Sequence, residues 1–370
     1  MERSVPPFRA DHVGSLIRPS WLIDAHRAHL AGKMAREELR ALEDKAIREV
    51  VALQEEMGLR SITDGEFRRT SYLAEFLTPL GVQLLQGKSD DLVYHDDKGA
   101  TAPATLAVVA RKIAWTRSIN LDAFTFLRSI AKETPKVTLP APTQVHFFAG
   151  REGISKAAYP DIELFWEDMV AAYRAELAAL GAAGCRYVQI DETCIPKLAD
   201  PVIQEVVKRR GHDWRAVLAK YVEVMNRIIA SAPAEMAVAV HHCRGNNAGM
   251  WQAQAGYEAV AEIMFGTLAA KAYLLEFDSP RAGDFSPLRF MPKDKIAVLG
   301  LVSTKSNRVE EADELRRRIE DAAKFMPLDR LCLAPQCGFS CGFAGSELTY
   351  DSEIRKLARI VEVARAVWNA

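Results

Sequence analysis

Short apolar runs recur along this chain, and almost every one is followed by a stretch with helical periodicity. Residues 8–13, 60–63, 135–139, 186–190, the run from Ala237, 272–276, 295–302 and 330–334 read as strands. Residues 19–31, 34–57, 121–132, 160–183, 200–210, 213–230, 255–266, 309–325 and 351–368 read as helices. Within 34–57, Leu39, Leu42, Ile47, Val50, Val51 and Leu53 fall at spacings of three and four, the period of a helix with one apolar face. The strands are apolar on both faces, so both faces need cover. That requirement means a parallel sheet wrapped in helices. About eight such units predict an α/β fold, a (β/α)8 TIM barrel with an insertion near residues 80–118, forming one domain over 1–370. A doubly wound sheet is the alternative. No glycine-rich dinucleotide fingerprint follows any strand, which counts against it.

The chain has 48 Lys and Arg against 49 Asp and Glu, interspersed, for a net charge of −1. This excludes a polybasic footprint, so neither nucleic acid nor a membrane surface is an expected partner. No apolar run is long enough to span a bilayer, and the N-terminus lacks a signal-peptide core. Cys185, Cys194, Cys243, Cys332, Cys337 and Cys341 are too scattered for a disulfide framework. A reducing, cytoplasmic setting is expected, with Cys185 and Cys332 as core residues. Assembly as a homo-oligomer is compatible with all of this.

Active sites of parallel barrels lie at the C-terminal strand ends. Those ends carry His12 and Ser15, Asp64 and Glu66, Asp191 and Glu192, His241 and Cys243, Glu276 and Asp278, and Cys337. The opposite ends carry Arg60, Arg186, Lys271, Lys295 and Arg330. Several carboxylates at one rim make sense if a cation, metal or amine binds there. Side chains alternate along a strand, so His241 and Cys243 share one face and His242 takes the other.

His241, Cys243, Glu276 and Cys337 form a set of one nitrogen, two sulfurs and one oxygen. The set suits Zn2+ better than magnesium or calcium, which prefer oxygens. Cys341 stands close to Cys337 and is an equal candidate for the last position. A His-x-Cys pair alone is as compatible with local packing; the coincidence of several strand ends carries the metal reading. Asp191 and Glu192 are equally readable as capping carboxylates of a following turn.

With these residues in view, the chain resembles the cobalamin-independent methionine synthase family, in its C-terminal catalytic barrel. The likeness runs from Asp11-His12-Val13-Gly14-Ser15 through Asp64-Gly65-Glu66, Gln189-Ile190-Asp191-Glu192, His241-His242-Cys243 and Glu276-Phe277-Asp278-Ser279 to Pro335-Gln336-Cys337-Gly338. The resemblance implies a zinc-dependent methyltransferase of methionine biosynthesis. Its ligands would be His241, Cys243, Glu276 and Cys337. Ser15, Glu66 and Asp191 would grip the carboxylate and ammonium of homocysteine, with Glu66 and Asp191 as the acidic residues of the catalytic centre.

The family's leaving-group histidine after the seventh strand has no counterpart in Gly300-Leu301-Val302-Ser303-Thr304-Lys305, so the methyl donor is left open. Lys305 or Arg244 is a positional candidate for a leaving-group partner. Arg244-Gly245-Asn246 is similar to the single-barrel branch that includes the epoxyalkane:coenzyme M transferases. The expected function is attack of a small-molecule thiol, as thiolate, on a methyl or alkyl donor. The alternatives are coenzyme M-type thiol alkylation, a metal-free decarboxylase of the uroporphyrinogen type, and a structural zinc protein.

Overall fold

The computed structural model describes residues 3–89, 91–340, 342 and 348–369. Its centre is a curled, all-parallel sheet of seven strands paired in chain order. The strands are β1 (Ser61–Ile62), β2 (Thr134–Pro140), β3 (Tyr187–Asp191), β4 (Ala237–His242), β5 (Ala272–Glu276), β6 (Ile296–Val302) and β7 (Leu331–Pro335). This is a TIM-barrel-like arrangement, as the alternation of apolar and helical segments predicts.

The expected first strand at 8–13 is reduced to one parallel bridge, Ala10 with Leu333 of β7. Its other edge meets β1 through side chains. Ser61 Oγ donates to Asp11 Oδ1 at 2.8 Å, Thr63 Oγ1 donates to the Gly14 carbonyl at 2.6 Å, and His12 Nε2 lies 3.0 Å from the Ser61 carbonyl. A ladder therefore gives way to side-chain bonds at this seam. Asp11, His12 and Thr63 satisfy groups that backbone pairing would otherwise take. Burial pushes the pKa of His12 down to about 4, so it is a neutral seam residue.

The sheet's concave side is filled by a small cluster that includes Val13, Tyr187, Ala239, Leu274 and Val298. Its outer side joins a much larger apolar core. Helices Arg36–Met57, Ile162–Ala182, Trp214–Ile229 and Tyr350–Trp368 supply much of that cover. Side chains of Asp161, Asp200 and Asp213 accept backbone N–H groups and start three helices. Two short helices, Thr143–Ala149 and Cys194–Lys197, are not evident from the residue pattern.

The insertion folds into two antiparallel pairs, Val82–Leu85 with Leu106–Val109 and Val93–His95 with Thr101–Pro103. The second pair is tied to the loop after β4. His95 N donates to the Trp251 carbonyl at 2.7 Å, and Trp251 N donates to the His95 carbonyl at 2.9 Å. The insertion is thereby held over the C-terminal rim of the sheet. Among the described residues, no helix is long and apolar enough to cross a membrane.

Candidate active site

At that rim lies a cavity lined by Ser15, Glu66, Asp191, His241, Cys243 and Cys337, among others. All six occupy positions at or just beyond strand ends in the sequence. Register brings them together: Asp191 at the end of β3 pairs with His241 on β4. Cys243 follows β4 directly, and Cys337 follows β7.

His241, Cys243 and Cys337 offer ligand atoms that all lie within 4.8 Å of one another. The two sulfurs are 3.9 Å apart. Two thiolates at about 2.3 Å from one tetrahedral ion would be about 3.8 Å apart, so the spacing fits zinc. His241 Nδ1 lies 3.2 Å from the Leu274 carbonyl, while its Nε2 is buried without a hydrogen-bond partner among the described residues. A proton on Nδ1 leaves the Nε2 lone pair free, the tautomer a metal requires. Hydrogen bonding from Cys337, with His241 alongside, holds the Cys243 thiol well below its ordinary range despite burial. Burial opposes a charge on His241, but the neighbouring Cys243 raises its pKa on balance.

Glu276 is not grouped with these three. It ends β5 fully buried, and its carboxylate is engaged by other groups. Lys305 Nζ lies 3.3 Å from Oε1, and the Arg244 backbone N–H donates to Oε2. Arg244 also stacks on Tyr257 at 4.1 Å. Lys305 and Arg244 therefore both attend Glu276. Cys341 lies outside the described residues.

The loops holding the thiols are cross-linked. Asn246 Nδ2 donates to the Gly338 carbonyl at 3.1 Å and to Thr304 Oγ1 at 3.0 Å. Thr304 Oγ1 in turn donates to Gln336 Oε1 at 2.8 Å. Gly338 packs on Ser15 so closely that a Cβ there would sit 2.0 Å from Ser15 Oγ. Ser340 N donates to that same hydroxyl at 3.4 Å.

Glu66 sits at φ 60°, in the left-handed region. Asp64 Oδ1 accepts its N–H at 2.9 Å, and Arg18 donates to its carbonyl at 2.6 Å, which holds the unfavourable backbone in place. Its Oε1 accepts from Thr138 Oγ1 at 2.7 Å and faces Arg69 at 3.2 Å. Burial pushes the pKa of Asp191 up to about 7; His241 opposes the change and Glu66 adds to it. Gln189 Nε2 donates to Asp191 Oδ1 at 2.7 Å.

The adjacent Glu192 has a different job. Its Oε1 accepts the N–H groups of Cys194 and Ile195 at 2.8 and 2.9 Å, capping the short helix there. The capping role thus falls to Glu192 alone. His242 turns away from the cavity, as alternation requires, and stacks near Tyr273. Burial pushes the Cys185 and Cys332 thiols up to about 12, as expected of core cysteines.

The cavity also includes Tyr72, Tyr94, Thr193, Lys197 and Asn246, to which no strand-end pattern points. Tyr94 comes from the insertion, whose register to the rim no local pattern signals. Lys197 lies on the unpredicted helix Cys194–Lys197.

A family model described as the catalytic domain of cobalamin-independent synthase matches residues 12–366. The protein YxjH of Bacillus subtilis (strain 168) is 38% identical over 98% of this chain and 95% of its own length. A methionine synthase of Saccharolobus solfataricus is 23% identical over 96% of this chain and 93% of its own. The crystal structure of a putative vitamin-B12 independent methionine synthase from Listeria monocytogenes superimposes with a TM-score of 0.75, at 30% identity, covering 99% of both chains.

Proposed function

The chain belongs to the cobalamin-independent methionine synthase family and is an enzyme of the methyltransferase class, and on that premise we propose that it is a zinc-dependent S-methyl or S-alkyl transferase. The observation that carries this reading is the buried His241, Cys243 and Cys337 cluster, opening into one cavity with Ser15, Glu66 and Asp191. One catalytic unit spanning 1–370 and a cytoplasmic setting are part of the proposal.

His241, Cys243 and Cys337 would hold the ion, with Glu276 as the fourth, exchangeable ligand. Zinc there supplies thiolate formation, because a free thiol with a pKa near 8.5 is only a few per cent ionised at neutral pH. The protein's own groups orient the acceptor, homocysteine. Glu66 and Asp191 crowd two acids into one buried wall, and an ammonium between them would stabilise both as carboxylates. The Ser15 hydroxyl suits the acceptor's carboxylate. Tyr94 and its hairpin shield the cavity from water. The substrate sulfur then forms a bond to the donor's methyl or alkyl carbon. The bond from that carbon to its leaving group breaks, and the leaving group keeps the electron pair.

A matrix of thiols and donors tests the reading: homocysteine and mercaptoethanesulfonate against methylfolate, S-methylmethionine and small epoxides. Thioether formation that depends on zinc and prefers homocysteine is expected. Turnover of mercaptoethanesulfonate with epoxides alone would instead assign the coenzyme M-type activity.

A further inference from the structure

Lys197 ends the short helix Cys194–Lys197 and lines the same cavity as Asp191, Cys243 and Cys337. It is 1% exposed. Its Nζ donates to Gln252 Oε1 at 2.6 Å and to Thr193 Oγ1 at 3.3 Å, both neutral acceptors. The other buried lysines differ: Lys136 has Asp11 at 3.1 Å and Lys356 has Glu310 at 3.1 Å. Among the described residues, Lys197 has no carboxylate oxygen within 4.0 Å.

Glu192 acts on Lys197 only through space, without a salt bridge, and a buried cation with no carboxylate in direct contact is costly. An ammonium also carries three N–H donors, and only two are used here. Gln252 adds a second observation. With Oε1 committed to Lys197, its Nε2 is buried and without an acceptor among the described residues. The Phe147 and Phe148 rings, 5.4 and 5.6 Å from Nζ, help fix the charge in place. The ammonium thus has one N–H to spare, and the nearby amide donor lacks an acceptor among the described residues.

We infer that Lys197, assisted by the Gln252 amide, recognises an oxyanionic group on the alkyl donor: a carboxylate, sulfonate or phosphate. The inference rests on the S-alkyl transfer reading above. The donor is the source because, on that reading, the acceptor's two charged ends are assigned to Glu66 with Asp191 for the ammonium and to Ser15 for the carboxylate. A donor anchored at Lys197 presents its alkyl carbon within the cavity that holds both thiols.

The test uses the zinc-loaded full chain saturated with homocysteine, as wild type, Lys197→Met and Lys197→Arg. Zinc content and melting temperature are measured for each variant. Calorimetry with glutarate, methanesulfonate and inorganic phosphate as probes, and neutral glutaramide as control, reads the site directly. At least one anion should bind the wild type, weaken about tenfold or more in Lys197→Met, and recover partly in Lys197→Arg. No anion binding to wild type, or equal binding to wild type and Lys197→Met, overturns the inference. A loss of affinity for mercaptoethanesulfonate in Lys197→Met, with anion binding in the homocysteine-saturated protein unchanged, moves the oxyanion to the acceptor and also overturns it. Failure of every thiol and donor pair to turn over, with Lys197-dependent anion binding intact, would sink the transferase reading separately.

Discussion

Cys243 and Cys337 are 94 residues apart in the chain, yet their sulfurs lie 3.9 Å from each other at the rim of the sheet. Each follows a different strand, and the strands they follow are not neighbours. Curvature of the sheet brings their ends to a common point, where His241 offers an uncommitted nitrogen.

Purified protein should therefore carry about one zinc per chain. Cys243→Ser and Cys337→Ser should each lose it, as read by metal analysis after dialysis. Cys341→Ser should keep it. Zinc loss in Cys341→Ser, with retention in Cys337→Ser, would reverse the assignment of the last thiol.

Asn246→Ala removes the side chain that bridges the Cys243 loop to Gly338 and Thr304. Metal affinity should fall by about 10- to 100-fold, the usual cost of losing a group that orients ligands without touching the ion. Competition with a chromophoric chelator measures this. An unchanged zinc affinity would show that the two loops hold their spacing without the bridge.

Glu66→Gln should weaken homocysteine binding by about 10- to 100-fold, equivalent to a charge-assisted hydrogen bond of about 1.5–3 kcal/mol. Binding of a thiol lacking the amine should change far less. Equal losses for both ligands would assign Glu66 to thiol placement or to folding, and not to the ammonium.

Glu353, on helix Tyr350–Trp368, is 1% exposed and accepts the Ile17 N–H at 2.8 Å. Burial raises its pKa from 4.5 to about 8. The folded state thus keeps a proton that the unfolded chain releases between these values. Its contribution to stability is full below about pH 4.5 and is lost as pH rises toward 8. Each tenfold difference in proton affinity between the folded and unfolded states is worth about 1.4 kcal/mol. Glu353→Gln should flatten this part of the stability profile in chemical denaturation between about pH 5 and pH 8. A slope equal to that of wild type would mean the carboxyl is ionised in the folded protein.

The Cys194 region shows what a local pattern conceals. The tandem Asp191-Glu192 reads as two equivalent carboxylates, yet Asp191 faces the cavity and Glu192 caps the helix behind it. Glu276 shows the same effect at longer range. Its place at a strand end is legible, but Lys305 and Arg244, which engage it, come from separate loops. Lys197 and Tyr94 carry no local signal, because their reach into the cavity depends on how a short helix and an inserted hairpin dock.

By itself, the order of residues determined the alternation of strands and helices, the rim where polar groups collect, and the shared face of His241 and Cys243. These follow from local periodicity and from the side-chain alternation of a strand, which need no knowledge of distant contacts. Tertiary structure alone decided the 3.9 Å sulfur spacing, the engagement of Glu276 by Lys305, the entry of Tyr94 from the insertion into the cavity wall, and the burial of Lys197 against neutral acceptors. Those depend on sheet curvature and loop docking, where partners remote in sequence set each other's positions through packing and desolvation.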